Sequence, residues 1–277
     1  MQIKELFCDD TGLTRTDLVG IVSSVLDLPG ERLLMEPKRR LDEGEWDRIR
    51  GLMGERLRGK PLAYLTHRKE FFSETFYVDE RVLIPRPETE ALVEEALSIL
   101  GTLGGSAGVL DMGAGSGIIG ILLAKNGARR VLSVDVSVGA LEVARRNAHA
   151  LSVDERIDFA ASDLFSSLKG RPVFDLVCAN LPYVGLDEWD DLMADVRSFE
   201  PREALLGGAH GFELYARFIP QVSAHLRSGG RVLCEIGGEA QARIVGDLLE
   251  DAGFEVAVRR DLAGRERVVS ATWTSSS

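Results

Sequence analysis

Val109-Leu110-Asp111-Met112-Gly113-Ala114-Gly115-Ser116-Gly117 runs directly into Ile118-Ile119-Gly120-Ile121-Leu122-Leu123-Ala124. An apolar strand ends, a turn of alternating glycines follows, and an apolar helix begins. Glycine tolerates positive φ and lets a ligand approach the backbone closely. The start of the helix offers unpaired N–H groups and a partial positive charge. Gly113, Ala114, Gly115, Ser116 and Gly117 are therefore the expected cradle of a bound cofactor. Asp135 closes the next apolar run, Val131 to Val134, where a carboxylate can take both hydroxyls of a ribose.

Two ligand classes fit this turn. Gly115-x-Gly117-x-x-Gly120 matches a dinucleotide fingerprint, which would set a pyrophosphate on the helix. Asp111, just before the glycines, instead places a negative charge where a cation would sit. S-adenosyl-L-methionine carries an ammonium and a sulfonium and no phosphate, so it suits Asp111 better. A purely structural glycine turn is the third reading. Ser162-Asp163-Leu164, after the third strand, is expected at the adenine: Asp163 or a nearby N–H at the ring edge, Leu164 on its face. Ser162 and Asp163 equally suit a helix cap.

Outward from the turn, strands are expected near 108–112, 131–135, 156–161, 174–179, 231–236, 254–259 and 266–273, with helices between. That alternation implies an α/β fold, a mostly parallel twisted sheet with helices on both faces. Thr272 to Ser277 reads as a short polar tail. Upstream, Pro87 suits the first turn of a helix running through Leu92, Val93, Ala96 and Leu100, with Glu88 and Glu90 at its positive end. Glu70 to Ile84 reads as a β-hairpin with its break at Asp79-Glu80-Arg81. Residues 1 to about 65 read as helical. One helix follows Thr14 through Leu18, Val19, Val22, Val25 and Leu26. Another spans Asp42 to Leu57, with Trp46, Ile49, Leu52, Met53 and Leu57 on one face.

The strand Val173 to Ala179 ends in Asn180-Leu181-Pro182-Tyr183. Ligands of open α/β sheets sit at the carboxyl ends of strands, so Asn180 is expected to face the reacting centre. Pro182 biases Leu181 to an extended conformation and turns its carbonyl out of the strand. The Asn180 side-chain oxygen and the Leu181 carbonyl are then two acceptors for a planar NH2 group, with Tyr183 as an aromatic wall. An amide nitrogen is a poor nucleophile, so positioning is the main lever. The bland alternative is a plain strand-ending turn.

At these residues the chain resembles the HemK/PrmC-like peptide chain release factor glutamine methyltransferases. The resemblance runs through Gly59 to Leu65, Glu70-Phe71-Phe72, Val82 to Glu90, the glycine turn, Asn180 to Tyr183, Glu200 to Leu205, and Gly207-Gly208. It implies a class I S-adenosylmethionine-dependent methyltransferase domain (Rossmann-like) over 87–277. A helical substrate-recognition domain over 1–67 and a β-hairpin linker over 68–86 would precede it. It also implies a substrate, the glutamine of the Gly-Gly-Gln loop in class I release factors. Cofactor contacts would fall on Gly113 to Gly117, Asp135, Leu164 and Asn180, and Asn180 to Tyr183 would hold the glutamine amide. Arg86 and Glu90 would border the substrate. Leu181 stands where the family usually has a second proline; its carbonyl can still serve. Asn-Leu-Pro-Tyr is also the form typical of rRNA adenine N6-dimethyltransferases, which makes an adenine N6-methyltransferase acting on RNA or DNA the alternative.

Composition narrows the choice. The formal net charge of −11 disfavours a phosphate-backbone binder. Lys38-Arg39-Arg40 and His67-Arg68-Lys69 are local basic clusters, read as solvated surface. No apolar run reaches membrane length, and no secretory leader is evident, so a cytoplasmic monomer is expected. The three cysteines Cys8, Cys178 and Cys234 lack metal-ligand spacing, and Cys178 and Cys234, inside apolar runs, read as buried free thiols. No metal is expected. His67, His149, His210 and His225 read as surface residues.

Overall fold

The computed structural model describes residues 2–7, 11–168 and 173–274. Cys8 and Ser275 to Ser277 lie outside them. The chain divides into two compact units. One holds Met1–Arg68 with Met193–Phe199; the other holds Lys69–Leu192 with Glu200–Ser277.

The first unit is helical: α1 (Ile3–Leu6), α2 (Arg15–Leu26), α3 (Gly30–Met35), α4 (Glu43–Leu57) and α5 (Leu62–Thr66). Thr14 caps α2 and Asp42 caps α4, each in a reciprocal capping box with the residue three positions on. Each box satisfies amides that the first helical turn cannot. Ile3, Leu6, Leu18, Ile21, Val22, Leu33, Leu41 and Ile49 form its core, with Trp46, Leu52 and Met53 against it. Leu57, expected on that face, is instead exposed at the last residue of α4.

The second unit opens on a hairpin, β1 (Lys69–Phe71) and β2 (Glu74–Phe76). The sequence reading put its break at Asp79-Glu80-Arg81 and its second strand at Val82 to Ile84. The turn is actually Phe72-Ser73, both at positive φ (50° and 62°). A two-residue turn of that hand matches strand twist. The usual glycine or asparagine signal is absent there, so the sequence did not mark it. Asp79 is buried and accepts from Arg81 and the Tyr77 hydroxyl, which makes that stretch a side-chain-braced turn. The long helix α6 (Thr89–Thr102) follows.

Next come β3 (Gly108–Met112), α7 (Ile118–Lys125), β4 (Arg130–Asp135), α8 (Val138–Ala150), β5 (Ile157–Ala161), β6 (Phe174–Ala179), β7 (Val184–Gly185), α9 (Ala194–Phe199) and β8 (Leu206–Gly208). The chain ends with α10 (Glu213–Val222), β9 (Leu226–Glu235), α11 (Glu239–Asp251), β10 (Phe254–Arg260) and β11 (Glu266–Trp273). Of these, α9 clusters with the helical unit. Seven strands form one sheet in the order β10-β11-β9-β6-β3-β4-β5. Only β11 runs against the rest. The central strands β3 and β6 are almost wholly buried, as their continuous apolar runs require. The edge strand β10 is mostly exposed and carries Glu255, Arg259 and Arg260, charges that discourage edge pairing. Thr272 and Trp273, read as the start of a tail, pair within the sheet. The short parallel pair β7–β8 was not foreseen.

The chain leaves β3 toward β4 and β5, then returns to β6 on the other side of β3. That reversal is the topological switch point, where a crevice opens at the strand ends. Its two lips are the glycine turn after β3 and Asn180 after β6.

Candidate active site

The glycine turn is held from below. The Gly113 and Ala114 amides donate to the Val134 carbonyl at 2.9 and 3.0 Å, tying the turn to β4. Gly113, Gly115 and Gly117 all have positive φ. Gly113 is glycine for a second reason: a Cβ there would stand 2.6 Å from the Asn180 carbonyl oxygen. The Asn180 amide in turn donates to the Met112 carbonyl at 3.2 Å. The two lips of the crevice therefore touch backbone to backbone. Ser116 and Ala114 are buried, and the Ser116 carbonyl accepts from the Asn147 amide at 2.9 Å. At Gly120 a Cβ would meet Ser133 Oγ at 2.5 Å and Asp111 Oδ2 at 2.8 Å, so α7 packs directly on the sheet.

Asp135 stands at the end of β4. Its Oδ2 accepts the Gly115 N–H and its Oδ1 the Ser137 N–H, each at 2.8 Å. Burial raises its pKa; the Gly115 and Ser137 amides oppose that, and Glu203 adds to it. Val136 and Val138, immediately after it, are exposed apolar residues that the sequence reading did not single out.

Asp111 is fully buried. Its Oδ2 accepts the Gly120 N–H at 3.0 Å and the Ser133 hydroxyl at 3.2 Å, while Oδ1 has no hydrogen-bond partner. Burial pushes its pKa up to about 7 from 3.8, against those two donors, with the Asp135 charge adding to the rise. The fold thus favours its protonated form. The stability this proton carries is complete below 3.8 and is lost as pH climbs through about 7. Asp111→Asn is expected to flatten the fall in urea-unfolding free energy between about pH 4 and pH 8 by about 1–3 kcal/mol. An unchanged slope in the variant would show that Asp111 does not titrate with folding.

The third expected cofactor position is placed differently for its two residues. Asp163 is exposed and pairs with Arg217 at 2.6 Å. Leu164 is buried, at φ 51°, an uncommon conformation for leucine that turns its side chain into the core beside Phe165 and Phe218. Ser162 stays close to Asp135, donating its N–H to the Asp135 carbonyl at 2.9 Å.

After β6, Leu181 is buried. Its N–H, which a proline would lack, donates to the Tyr215 hydroxyl at 3.4 Å. That hydroxyl lies 3.2 Å from the Ala179 carbonyl and 2.5 Å from the Glu235 carbonyl, and its one proton goes to the nearer. Leucine at 181 therefore leaves no orphan donor. The Tyr183 carbonyl accepts from the Gln241 amide at 2.6 Å, and Gln241 Oε1 accepts the Gly237 N–H. A Cβ at Gly207 would collide with the Pro182 carbonyl and one at Gly211 with the Tyr183 carbonyl, at 2.3 and 2.2 Å. The Asn180 to Tyr183 backbone is thus clamped from three sides. Burial raises the Tyr183 phenol pKa, so the hydroxyl stays protonated.

Arg86 pairs with Glu200 Oε1 at 2.5 Å, and Glu200 Oε2 accepts the Ile84 N–H at 3.0 Å. Glu90 is half-buried on the first turn of α6. Sequence reasoning missed Tyr215, Glu235 and Gln241, and it included Thr89 only within the run Arg86 to Glu90. Glu235 alone left a trace, a carboxylate closing the apolar run Val232-Leu233-Cys234. His225 was also misread: it is buried and stacks on Phe165 at 4.5 Å, held in the turn between α10 and β9. Cys178 and Cys234 are buried free thiols. Among the described residues no cluster of His, Cys, Asp or Glu is arranged to hold a metal. No described helix is long and apolar enough to cross a membrane.

With this geometry in view, the comparisons with known proteins are specific. Residues 109–199 match the model of a methyltransferase domain, and residues 9–66 match the PrmC N-terminal domain. The chain is 41% identical over 228 residues to the release factor glutamine methyltransferase of Rhodopirellula baltica, covering 80% of this chain and 77% of the relative. It is 38% identical to that of Koribacter versatilis, over 96% of this chain and 94% of the relative. The chain belongs to the release factor glutamine methyltransferase family. Solved structures agree on the fold of this family member. A ribosomal protein L11 methylase from Lactobacillus delbrueckii superposes with a TM-score of 0.54 at 22% identity, over 74% of this chain and 90% of that one. A Thermus thermophilus 16S rRNA N2 G1207 methyltransferase, solved with AdoMet and guanosine, superposes with a TM-score of 0.52 at 20% identity. It covers 74% of this chain and 49% of that one.

Proposed function

We propose that the protein transfers a methyl group from S-adenosylmethionine to the side-chain amide nitrogen of the glutamine in the Gly-Gly-Gln loop of class I release factors. One observation carries the reading: Asn180 stands at the switch point, its backbone in contact with the glycine turn. A cofactor held by that turn and an amide held by Asn180 then share one crevice.

The residues present fit the cofactor. Acidic side chains, Asp111 and Asp135, border the turn, and none of Gly113 to Gly117 is basic. Asp135, closing β4 against the Gly115 N–H, would take the ribose diol. Gly115 has open space where a Cβ would be, which leaves its backbone approachable. Val136 and Val138 supply apolar surface for a base. When bound, S-adenosylmethionine supplies an electrophilic methyl group. The chain's own part is to hold the nucleophile: the Asn180 side-chain oxygen and the Leu181 carbonyl accept the two amide N–H groups, and Tyr183 and Pro182 wall the site. These acceptor bonds strengthen as positive charge develops on the nitrogen. Arg86, held by Glu200, and Glu90 border the substrate. The helical unit is the part assigned to recognising the release factor.

The test is incubation with labelled cofactor and a release factor, with RNA and DNA in parallel arms, and mapping of the product by mass spectrometry. The expected product carries one methyl on the Gly-Gly-Gln glutamine. Label on nucleic acid, or on another residue, rejects the reading.

A further inference from the structure

We propose that Thr89 and Glu235 are positioning residues that decide which end of the Asn180 carboxamide faces the substrate amide. The inference deepens the methyltransferase reading and rests on it.

Ala179 of β6 pairs in register with Cys234 of β9, so Asn180 and Glu235 come next to each other at the strand ends. One residue earlier than that pair, Cys178 and Leu233 share a core with Leu92, Val93 and Ala96 of α6. Side chains alternate along a strand, so Asn180 and Glu235 both face α6. Thr89, the first residue of α6, is buried there. Asn180 Nδ2 donates to Thr89 Oγ1 at 3.4 Å. The Thr89 and Tyr183 hydroxyls both favour the ionised form of the Glu235 carboxyl beside them.

The direction of this chain follows from counting protons. A carboxylate only accepts, and a hydroxyl has one proton to give. If Thr89 gives its proton to Glu235, it has only lone pairs left for Asn180. The carboxamide must then present Nδ2 to Thr89 and Oδ1 to the crevice. The reverse orientation would set oxygen against oxygen at Thr89 and N–H against the N–H groups of the substrate. The same carboxylate draws the Tyr183 hydroxyl, so one buried acid orients two side chains of the substrate loop.

Glu235 is 1% exposed, and its Oε2 has no hydrogen-bond partner. Such a group is costly to keep in a core without a role. The charged groups around it are Arg267 from β11 and Glu88, the residue that caps α6. Burial raises its pKa to about 7, while Thr89, Arg267 and Tyr183 draw it down and Glu88 pushes it up. The ionised form is therefore available near neutrality.

The test compares Thr89→Val, Thr89→Ser and Glu235→Gln with the wild type in two readouts. The first is solvent exchange of the Asn180 side-chain amide by NMR, its signal identified by loss in Asn180→Asp. Exchange is expected to rise about fivefold or more in Thr89→Val and Glu235→Gln and to stay near wild type in Thr89→Ser. The second is kcat for methyl transfer, expected to fall about tenfold or more in the first two variants. Cofactor Kd should stay within about twofold, and serine should restore the rate. Unchanged exchange in Thr89→Val overturns the relay even if no release factor is methylated. So does a serine variant as impaired as the valine one, because lost packing would then explain both. Absence of transfer by the wild type counts against the proposed function alone, and the exchange readout still decides the relay.

Discussion

Asn180→Ala is expected to lower kcat for glutamine methylation by about 10²–10³-fold, the range seen when one preorganised hydrogen-bonding group is removed from a reacting centre. The affinity for S-adenosylmethionine should change by no more than about threefold. The difference arises because the two functions of Asn180 use different atoms. Its backbone N–H holds the Met112 carbonyl, and its own carbonyl abuts Gly113. Alanine keeps both, so the turn and the cofactor cradle persist. Only the side-chain acceptor is lost. The substrate amide then keeps a single acceptor and rotates freely about it, and misorientation is paid in rate rather than in binding. Single-turnover kinetics and calorimetric titration of the cofactor separate the two quantities. Parallel losses of similar size would show that Asn180 serves mainly to hold the cofactor.

Gly113→Ala should be the more damaging change to the molecule as a whole. Alanine at φ 79° is strained by about 1–2 kcal/mol. Its Cβ would also sit 2.6 Å from the Asn180 carbonyl oxygen. Both neighbours are backbone, so no rotamer can yield, and overpacking adds about 1–3 kcal/mol. A total of about 2–5 kcal/mol corresponds to a fall in Tm of roughly 4–10 °C for a chain of this size. Relief requires the Asn180 peptide to move, and a displacement near 1 Å at a reacting centre costs about a hundredfold in rate. Gly115→Ala is the matched control. Its φ is 52°, but nothing lies within 4 Å of where its Cβ would be. It should lose less stability and act chiefly on cofactor affinity. Thermal melts and initial rates on both variants check the pair; equal melting temperatures would remove the close contact as the cause.

The sequence made some parts of this site legible and hid others for identifiable reasons. The strands of the sheet were readable because buried parallel strands are continuous apolar runs, and β3, β4, β5 and β6 start within a residue of expectation. Asp135 and Asn180 were readable because each ends such a run, and strand ends are where this architecture binds ligands. The hairpin turn at Phe72-Ser73 was not, because neither residue advertises positive φ. Leu57 was misplaced because a helix can keep its apolar period past the point where its partner ends. Asp163 and Leu164, expected at the edge and on the face of the adenine, differ in setting: one faces solvent and Arg217 while the other is buried.

From residue order alone the chain fixed its local grammar: which segments bury on both faces, where the backbone must turn through glycine, and which polar groups close each strand. Those follow from short-range sterics and from the cost of exposing apolar surface. Only the folded sheet decided the partners. Setting β9 beside β6 puts Glu235 next to Asn180, and seating α6 over that face brings in Thr89. Return of the chain to β8 places Gly207 under the Pro182 carbonyl. Hydrogen bonds reach about 3 Å, so which groups share one is a property of strand order and register, which no short stretch of sequence contains.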